Sequence, residues 1–219
     1  QDEAARANKP DDGRFELVGA NFRFIKQYLK FYGILKVDGI LGDFGVSSHQ
    51  FDQAERGFST RFDANLDMRM NQQETLSAKE LVNTYSEERL REVFFTYGEL
   101  KRAAAISRAI VASRAQKPIE TTGALNELLR PFLQRGKEHK GLAQAYQAIR
   151  IEVNQELSAL QELLMQSVDL LHFGGRLSLI SYHSLEDRMV KRFIRSGNFE
   201  GVVAKDFYGN PITIFKSVN

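Results

Sequence analysis

"VDGILGDF", residues 37–44, is the stretch on which the reading of this chain turns. Val37, Ile40, Leu41 and Phe44 make a short apolar run bounded by turn formers, which predicts a buried strand. The run ends in a carboxylate, Asp43. Gly45-Val46-Ser47-Ser48 then reverses the chain, and His49, Gln50 and Asp52 add a second polar cluster. A strand tip furnished with a carboxylate, hydroxyls and an amide suits a ligand. It also suits a turn in which Asp43 simply binds its own loop amides.

Working outward, "RFELVG" (14–19) reads as a short strand. "NFRFIKQYLKFYG" (21–33) places Phe22, Ile25, Tyr28, Leu29 and Tyr32 at helical spacing, with Asn21 as cap and Gly33 closing the helix. Strand, helix and strand in that order make half of a parallel α/β sheet. From Gly57 the chain becomes polar and loop-like, and helical periodicity follows in "SAKELVNTYSEERLREVFFTYG", "KRAAAISRAIVASRAQK" and "TTGALNELLRPFLQRG", the last interrupted by Pro131. Residues 142–175 read as one long amphipathic helical run ended by Gly174-Gly175. A strand at 176–184, a helix at 185–197 and a hairpin turning at Gly209-Asn210-Pro211 complete the pattern. The fold class expected is therefore α/β, with core segments 1–56 and 142–219 and a helical insertion over 57–141. Insertions of this kind leave a parallel sheet at the carboxyl tips of its strands, where the ligand crevice lies.

Bulk properties exclude several classes. The 219 residues are 42% hydrophobic and 26% charged, as in ordinary globular proteins. No apolar run is long enough to span a membrane, and the first residues have no apolar core of a signal peptide. Absence of cysteine removes disulfides, thiolate metal sites and a cysteine nucleophile, and fits a cytoplasmic location. The four histidines, at 49, 139, 172 and 183, lack metal-ligand spacing, so no metal is expected.

A second strand tip carries Ser181, Tyr182, His183 and Ser184. In a parallel sheet both tips face one crevice. Ser184 also begins Ser-Leu-Glu-Asp, a capping box for the next helix, and that is the role expected of it. His183 faces the crevice in one strand register and packs as an ordinary histidine in the other. Two basic stretches, Lys101–Lys117 and the stripe Arg188, Lys191, Arg192, Arg195, suit either a solvated face or contact with phosphates.

Several long strings carry more. "DGILGDFGVSSHQFDQAERGFS", "LDMRMN", "YQAIRIEVNQEL" and "GGRLSLISYHSLEDRMVKRF" closely resemble, in order, the bacterial 16S ribosomal RNA cytosine-N4 methyltransferases of the RsmH (MraW) type. The resemblance implies a Rossmann-like sheet that binds S-adenosyl-L-methionine, with the 57–141 insertion recognising substrate. It implies methylation of the exocyclic N4 of a cytidine in the decoding centre of the small ribosomal subunit. Carried over by position, Phe22, Asp43 and Gln50 contact the cofactor, Phe22 beside the adenine. Asp43, Ser47, Ser48 and His183 fall at the reacting centre. The partner implied is 16S rRNA, with no membrane, and a homodimer is among the arrangements allowed. The family's first strand, glycine-rich loop and following acid would all precede Gln1, and an arginine-containing strand would follow Asn219. Weak cofactor binding by the chain as it stands is therefore expected. Phe58, Phe62 and Lys101–Lys117 are candidates for holding an unstacked base. Rival readings are a non-catalytic RNA- or ribosome-binding remnant, and an amino-methyltransferase acting on DNA or a small molecule.

Overall fold

A computed structural model describes residues 8–47 and 53–215. The chain divides into two units, one formed by Gln1–Gly45 with Leu157–Asn219 and the other by Val46–Glu156. The sequence pattern predicts an insertion over 57–141; the division found in the structure falls immediately beyond the first strand tip and again beside Gln155.

The first unit is built on a parallel two-stranded sheet, β1 (Val37–Asp43) beside β2 (Leu171–Ile180). Asp43 pairs with Ile180, so both carboxyl tips end level. Helix α1 (Ile25–Phe31) follows a single 3-10 turn, Phe22–Phe24, which Asn21 caps by accepting the Arg23 N–H. Ile25 and Leu29 pack against a core of Ile40, Phe44, Leu160, Leu163, Leu164 and Phe193. That core is supplied largely by α7 (Glu156–Leu170) and α8 (Ser184–Ser196). Each such aliphatic or aromatic side chain, fully buried, stabilises by roughly 1.5–3 kcal/mol. Polar lashings fix α1 onto α7. Arg23 forms a two-pronged ion pair with Glu162, Lys26 reaches Asp169 at 2.6 Å, and Gln166 donates to the Arg23 carbonyl at 2.7 Å.

The second unit is helical: α2 (Ala78–Thr84), α3 (Glu87–Thr96), α4 (Ala103–Arg114), α5 (Thr122–Leu129) and α6 (Glu138–Asn154). Its core includes Leu81, Leu90, Phe94, Ile106, Ile110, Leu125 and Ile149. The polar stretch after Gly57 forms no helix, yet Phe58, Leu66 and Met68 from it are fully enclosed in that core. Asn154 holds this loop in place. Its amide donates to the Met68 carbonyl at 2.8 Å and its oxygen accepts the Met70 N–H at 2.6 Å. Met68 lies at φ +58°, a left-handed conformation costing a non-glycine residue about 1 kcal/mol, and Asn154 and the surrounding core hold it there.

Several expectations are corrected. Residues 14–19 form no strand, because no neighbouring strand pairs with them among the described residues. The helical run over 142–175 is two helices, broken at Gln155 (φ +50°), and the second ends at Leu170. Strand β2 then begins at Leu171 instead of 176. Gly174-Gly175 stops no helix; it forms a bulge within the strand. Between the pairs Val37–Leu171 and Gly39–Arg176, one residue of β1 faces four of β2. Gly174 at φ +85° makes the excursion without the Cβ clash another residue would suffer. The helical periodicity of the "SAKELV…" segment is carried by two helices, since Ser86 accepts the Arg89 N–H and starts the second. The final hairpin is reduced to a turn closed by one bridge, Lys205 with Pro211.

Candidate functional site

The site of the first unit is built from the two strand tips. Beyond Asp43 the Phe44 N–H donates to the Ile180 carbonyl at 3.2 Å, carrying the sheet one residue further. The Phe44 ring then folds back over its own strand. Gly42 permits this: a Cβ there would stand 2.9 Å from both the Phe44 ring and Leu179. Phe44 is buried, and against it lies Phe22, ring centroids 5.6 Å apart and tilted by 54°. Phe22 keeps 39% of its surface exposed, so one side of the ring is open at the tip. Gly45 turns the chain at φ +93°, a region closed to most side chains.

Asp43 is exposed, and its Oδ1 accepts the Tyr182 hydroxyl at 3.0 Å. That hydrogen bond, and then the negative charge of Asp43, push the Tyr182 phenol above its ordinary pKa, so it remains a donor at neutral pH. Tyr182 is held in turn, since its backbone N–H donates to Glu186 Oε2 at 3.0 Å. Glu186 is buried in the first turn of α8. Phe22, Asp43 and Tyr182 thus stand at one strand-tip edge: an open aromatic face, a solvent-facing carboxylate and a fixed phenol.

His183 is placed differently. It is the N-cap of α8, its Nδ1 accepting the Glu186 N–H at 3.4 Å, and its side chain is 8% exposed. Because Nδ1 accepts, the neutral ring carries its proton on Nε2, which lies 3.3 Å from Glu186 Oε1. Among the described residues no hydrogen bond joins His183 to Asp43. The capping role expected of Ser184 belongs to His183, and Ser184 is the first helical residue. The capping signature is real, but the helix begins one residue earlier than serine preference suggests.

Ser47 is exposed and belongs to the second unit. Ser48 and Gln50, together with His49 and Asp52, lie outside the described residues. In the second unit Phe58 cannot receive a base, being 4% exposed and covered by the Arg56 guanidinium at 5.8 Å. Phe62 is about half exposed. The basic stretch 101–117 is partly structural. Arg114 donates to the carbonyls of Val82 and Tyr85, closing the end of α2, and Arg102 lies over the Phe132 ring. Lys101 and Lys117 are exposed.

Tyr182 is the site residue that sequence reasoning noticed without giving it a role. Two residues past a strand end it could face either way, and only the strand register brings it to Asp43.

The two open groups suit S-adenosyl-L-methionine: a purine can lie on the exposed side of Phe22, and Asp43 offers acceptors at the tip.

Comparisons with known proteins agree with this chemistry. Residues 1–208 match the sequence profile of the MraW methylase family. The chain is 63% identical over its whole length to a protein named ribosomal RNA small subunit methyltransferase H from Christiangramia forsetii, of which it covers 72%. It is 59% identical to the protein of that name from Flavobacterium johnsoniae and 51% identical to that from Phocaeicola vulgatus, again covering 72% of each.

Proposed function

Because the chain belongs to the MraW methylase family, we propose that it methylates small-subunit ribosomal RNA, transferring a methyl group from S-adenosyl-L-methionine to the exocyclic N4 of a cytidine in the decoding centre. The observation that carries this reading is the exposed Asp43 carboxylate at a parallel strand tip, aimed by the Tyr182 hydroxyl and flanked by the open Phe22 ring.

When bound, the cofactor supplies an electrophilic methyl group on a sulfonium sulfur. The cytosine amine is a poor nucleophile because its lone pair is delocalised into the ring. Hydrogen-bond acceptors on its two N–H groups turn that lone pair out of the ring plane and align it. Asp43 and the carbonyls of Phe44 and Gly45 are the acceptors. The Tyr182 hydroxyl holds one carboxylate oxygen, Oδ1, and does not engage the other. No strong base is needed before transfer, since the methylated ammonium product loses its proton readily. The chain has no cysteine, so attack through a cysteine adduct at the neighbouring ring carbon is not available to it.

Phe22 would pack beside the adenine, with Gln50 as a further cofactor contact and Ser48 as a further residue of the reacting centre. His183 contributes by fixing the start of α8, and through Glu186 the backbone of Tyr182. The second unit, Val46–Glu156, takes the substrate-recognition role, with Phe62, Lys101 and Lys117 as its exposed candidates. No described helix is long and apolar enough to cross a membrane, and the cytoplasm, where small subunits are assembled, is the working location.

The test is Asp43→Ala in the complete protein. Labelled methyl transfer to small-subunit RNA is expected to disappear while the circular dichroism spectrum is unchanged; near-normal turnover would sink the assignment. Calorimetric titration with S-adenosyl-L-methionine separates the enzyme from a non-catalytic RNA-binding protein, which would show no heat of binding. Methyl acceptance by DNA or a small molecule in preference to RNA would favour the remaining alternative.

A further inference from the structure

Helix α8 has two faces of opposite character. Met189, Val190 and Phe193 pack into the core of the first unit. On the other face Arg188, Lys191, Arg192 and Arg195 are all exposed, at spacings that align them in one stripe about 10 Å long. They line a groove of about 490 Å³ together with Asp187, Glu200 and Gly201. Asp187 is engaged with Lys191 at 2.9 Å, and among the described residues no carboxylate pairs with Arg192 or Arg195. Like charges at three- and four-residue spacing repel, so the stripe weakens the helix that carries it. It also adds nothing to the core. A binding role accounts for both.

A second feature of the same unit follows a few residues after the groove. Asp206 Oδ1 accepts the backbone N–H groups of Tyr208 and Asn210 at 2.9 and 2.8 Å, fixing a tight turn. On that turn Phe207 is 97% and Tyr208 85% exposed, their rings edge to face at 5.5 Å. Large rings presented to water are stacking surfaces for a flat partner.

We propose that the α8 groove binds the sugar–phosphate backbone of single-stranded RNA outside the methyl-transfer site, with Phe207 and Tyr208 stacking on bases of the same strand. Arginine forks match phosphate oxygens in pairs, and arginine supplies three of the four cations. An acidic peptide would satisfy the charges but leave the two rings unused. The proposal rests on the reading of the chain as an RNA methyltransferase, since that reading makes the bound strand part of the substrate.

The test is fluorescence anisotropy with a short unstructured RNA across a salt series, using the whole chain. Replacing Arg188, Arg192 and Arg195 together by glutamine is expected to weaken binding by about ten- to a hundredfold. It should also flatten the dependence of log K on log salt by about two, at roughly 0.7 per lost phosphate contact. A control with Lys9, Arg14 and Lys30 changed to glutamine should leave the slope near that of the unaltered chain. Phe207→Ala with Tyr208→Ala should weaken binding and keep the slope. Unchanged affinity and slope in the arginine variant, or an equal loss in the control, overturns the proposal. So does a polyglutamate peptide that competes as well as RNA. If the unaltered chain binds RNA through this stripe but methylates none, the proposed function fails and the groove stands. If methylation is normal and the arginine variant binds like the unaltered chain, the groove fails and the function stands.

Discussion

The Tyr182 hydroxyl donates to Asp43 Oδ1 at 3.0 Å, joining the tip of one strand to the residue just beyond the tip of the next. The bond aims the carboxylate without neutralising it, and the two residues should therefore fail differently. Asp43→Asn is expected to lower kcat for methyl transfer by about a hundredfold or more, since a carboxylate acceptor at the reacting amine is lost. Tyr182→Phe leaves the carboxylate present but unaimed, and should cost about three- to tenfold. Steady-state transfer with labelled cofactor measures both, and equal losses would contradict the division of roles.

Gly42 is set by contact, not by backbone angle. A Cβ at this position would meet the Phe44 ring and Leu179 at 2.9 Å, so Gly42→Ala must displace the ring that supports Phe22. Overpacking of this kind costs about 1–3 kcal/mol. Urea denaturation should show the loss, and weaker binding of S-adenosyl-L-methionine should accompany it.

His183 as a helix cap predicts an ordering of variants. His183→Ala removes the side-chain acceptor and should destabilise by about 0.5–2 kcal/mol, whereas His183→Asn restores one and should recover most of the loss. Thermal unfolding decides. A histidine needed for chemistry would instead leave the asparagine variant stable and inactive.

Arg23 beside Glu162 holds that carboxyl below its ordinary pKa of 4.5. A depressed folded-state pKa stabilises the protein fully above the unfolded value and loses that contribution as pH falls through the lower, folded one. Amide hydrogens of α1 should therefore exchange faster, relative to those of α4, as pH is lowered below about 4.5. Glu162→Gln should reduce this pH dependence, leaving the share contributed by Asp169 beside Lys26, and should leave α1 looser at neutral pH.

Much of this architecture is legible in the sequence because local signals and tertiary needs agree. Asn21 and Pro131 punctuate helices where the pattern puts them. Val37–Asp43 is a strand by composition alone. Errors arise where a local signal has two physical uses. A glycine pair ends helices or permits a strand bulge, and at 174–175 only pairing with β1 selects the bulge. Polar composition marks a loop over 57–71, but not that Leu66 and Met68 would be drawn fully into a core by one asparagine of α6. At the site, Asp43 is readable as a furnished strand tip. Its partner Tyr182 is not, because the hydrogen bond depends on the register of strands far apart in the chain.

That separation has a kinetic consequence. Asp43 meets Ile180 only after residues 46–156 have been made, and those residues form a unit continuous in sequence with its own apolar core. Local contacts form early, and long-range parallel pairing waits for the loop between its strands to close. During synthesis the helical unit should therefore acquire protection first. Once folded it acts as a short, stiff tether in place of a long flexible loop, which lowers the entropy lost when the two strands find each other. The reacting edge would be the last part of the chain to come into being.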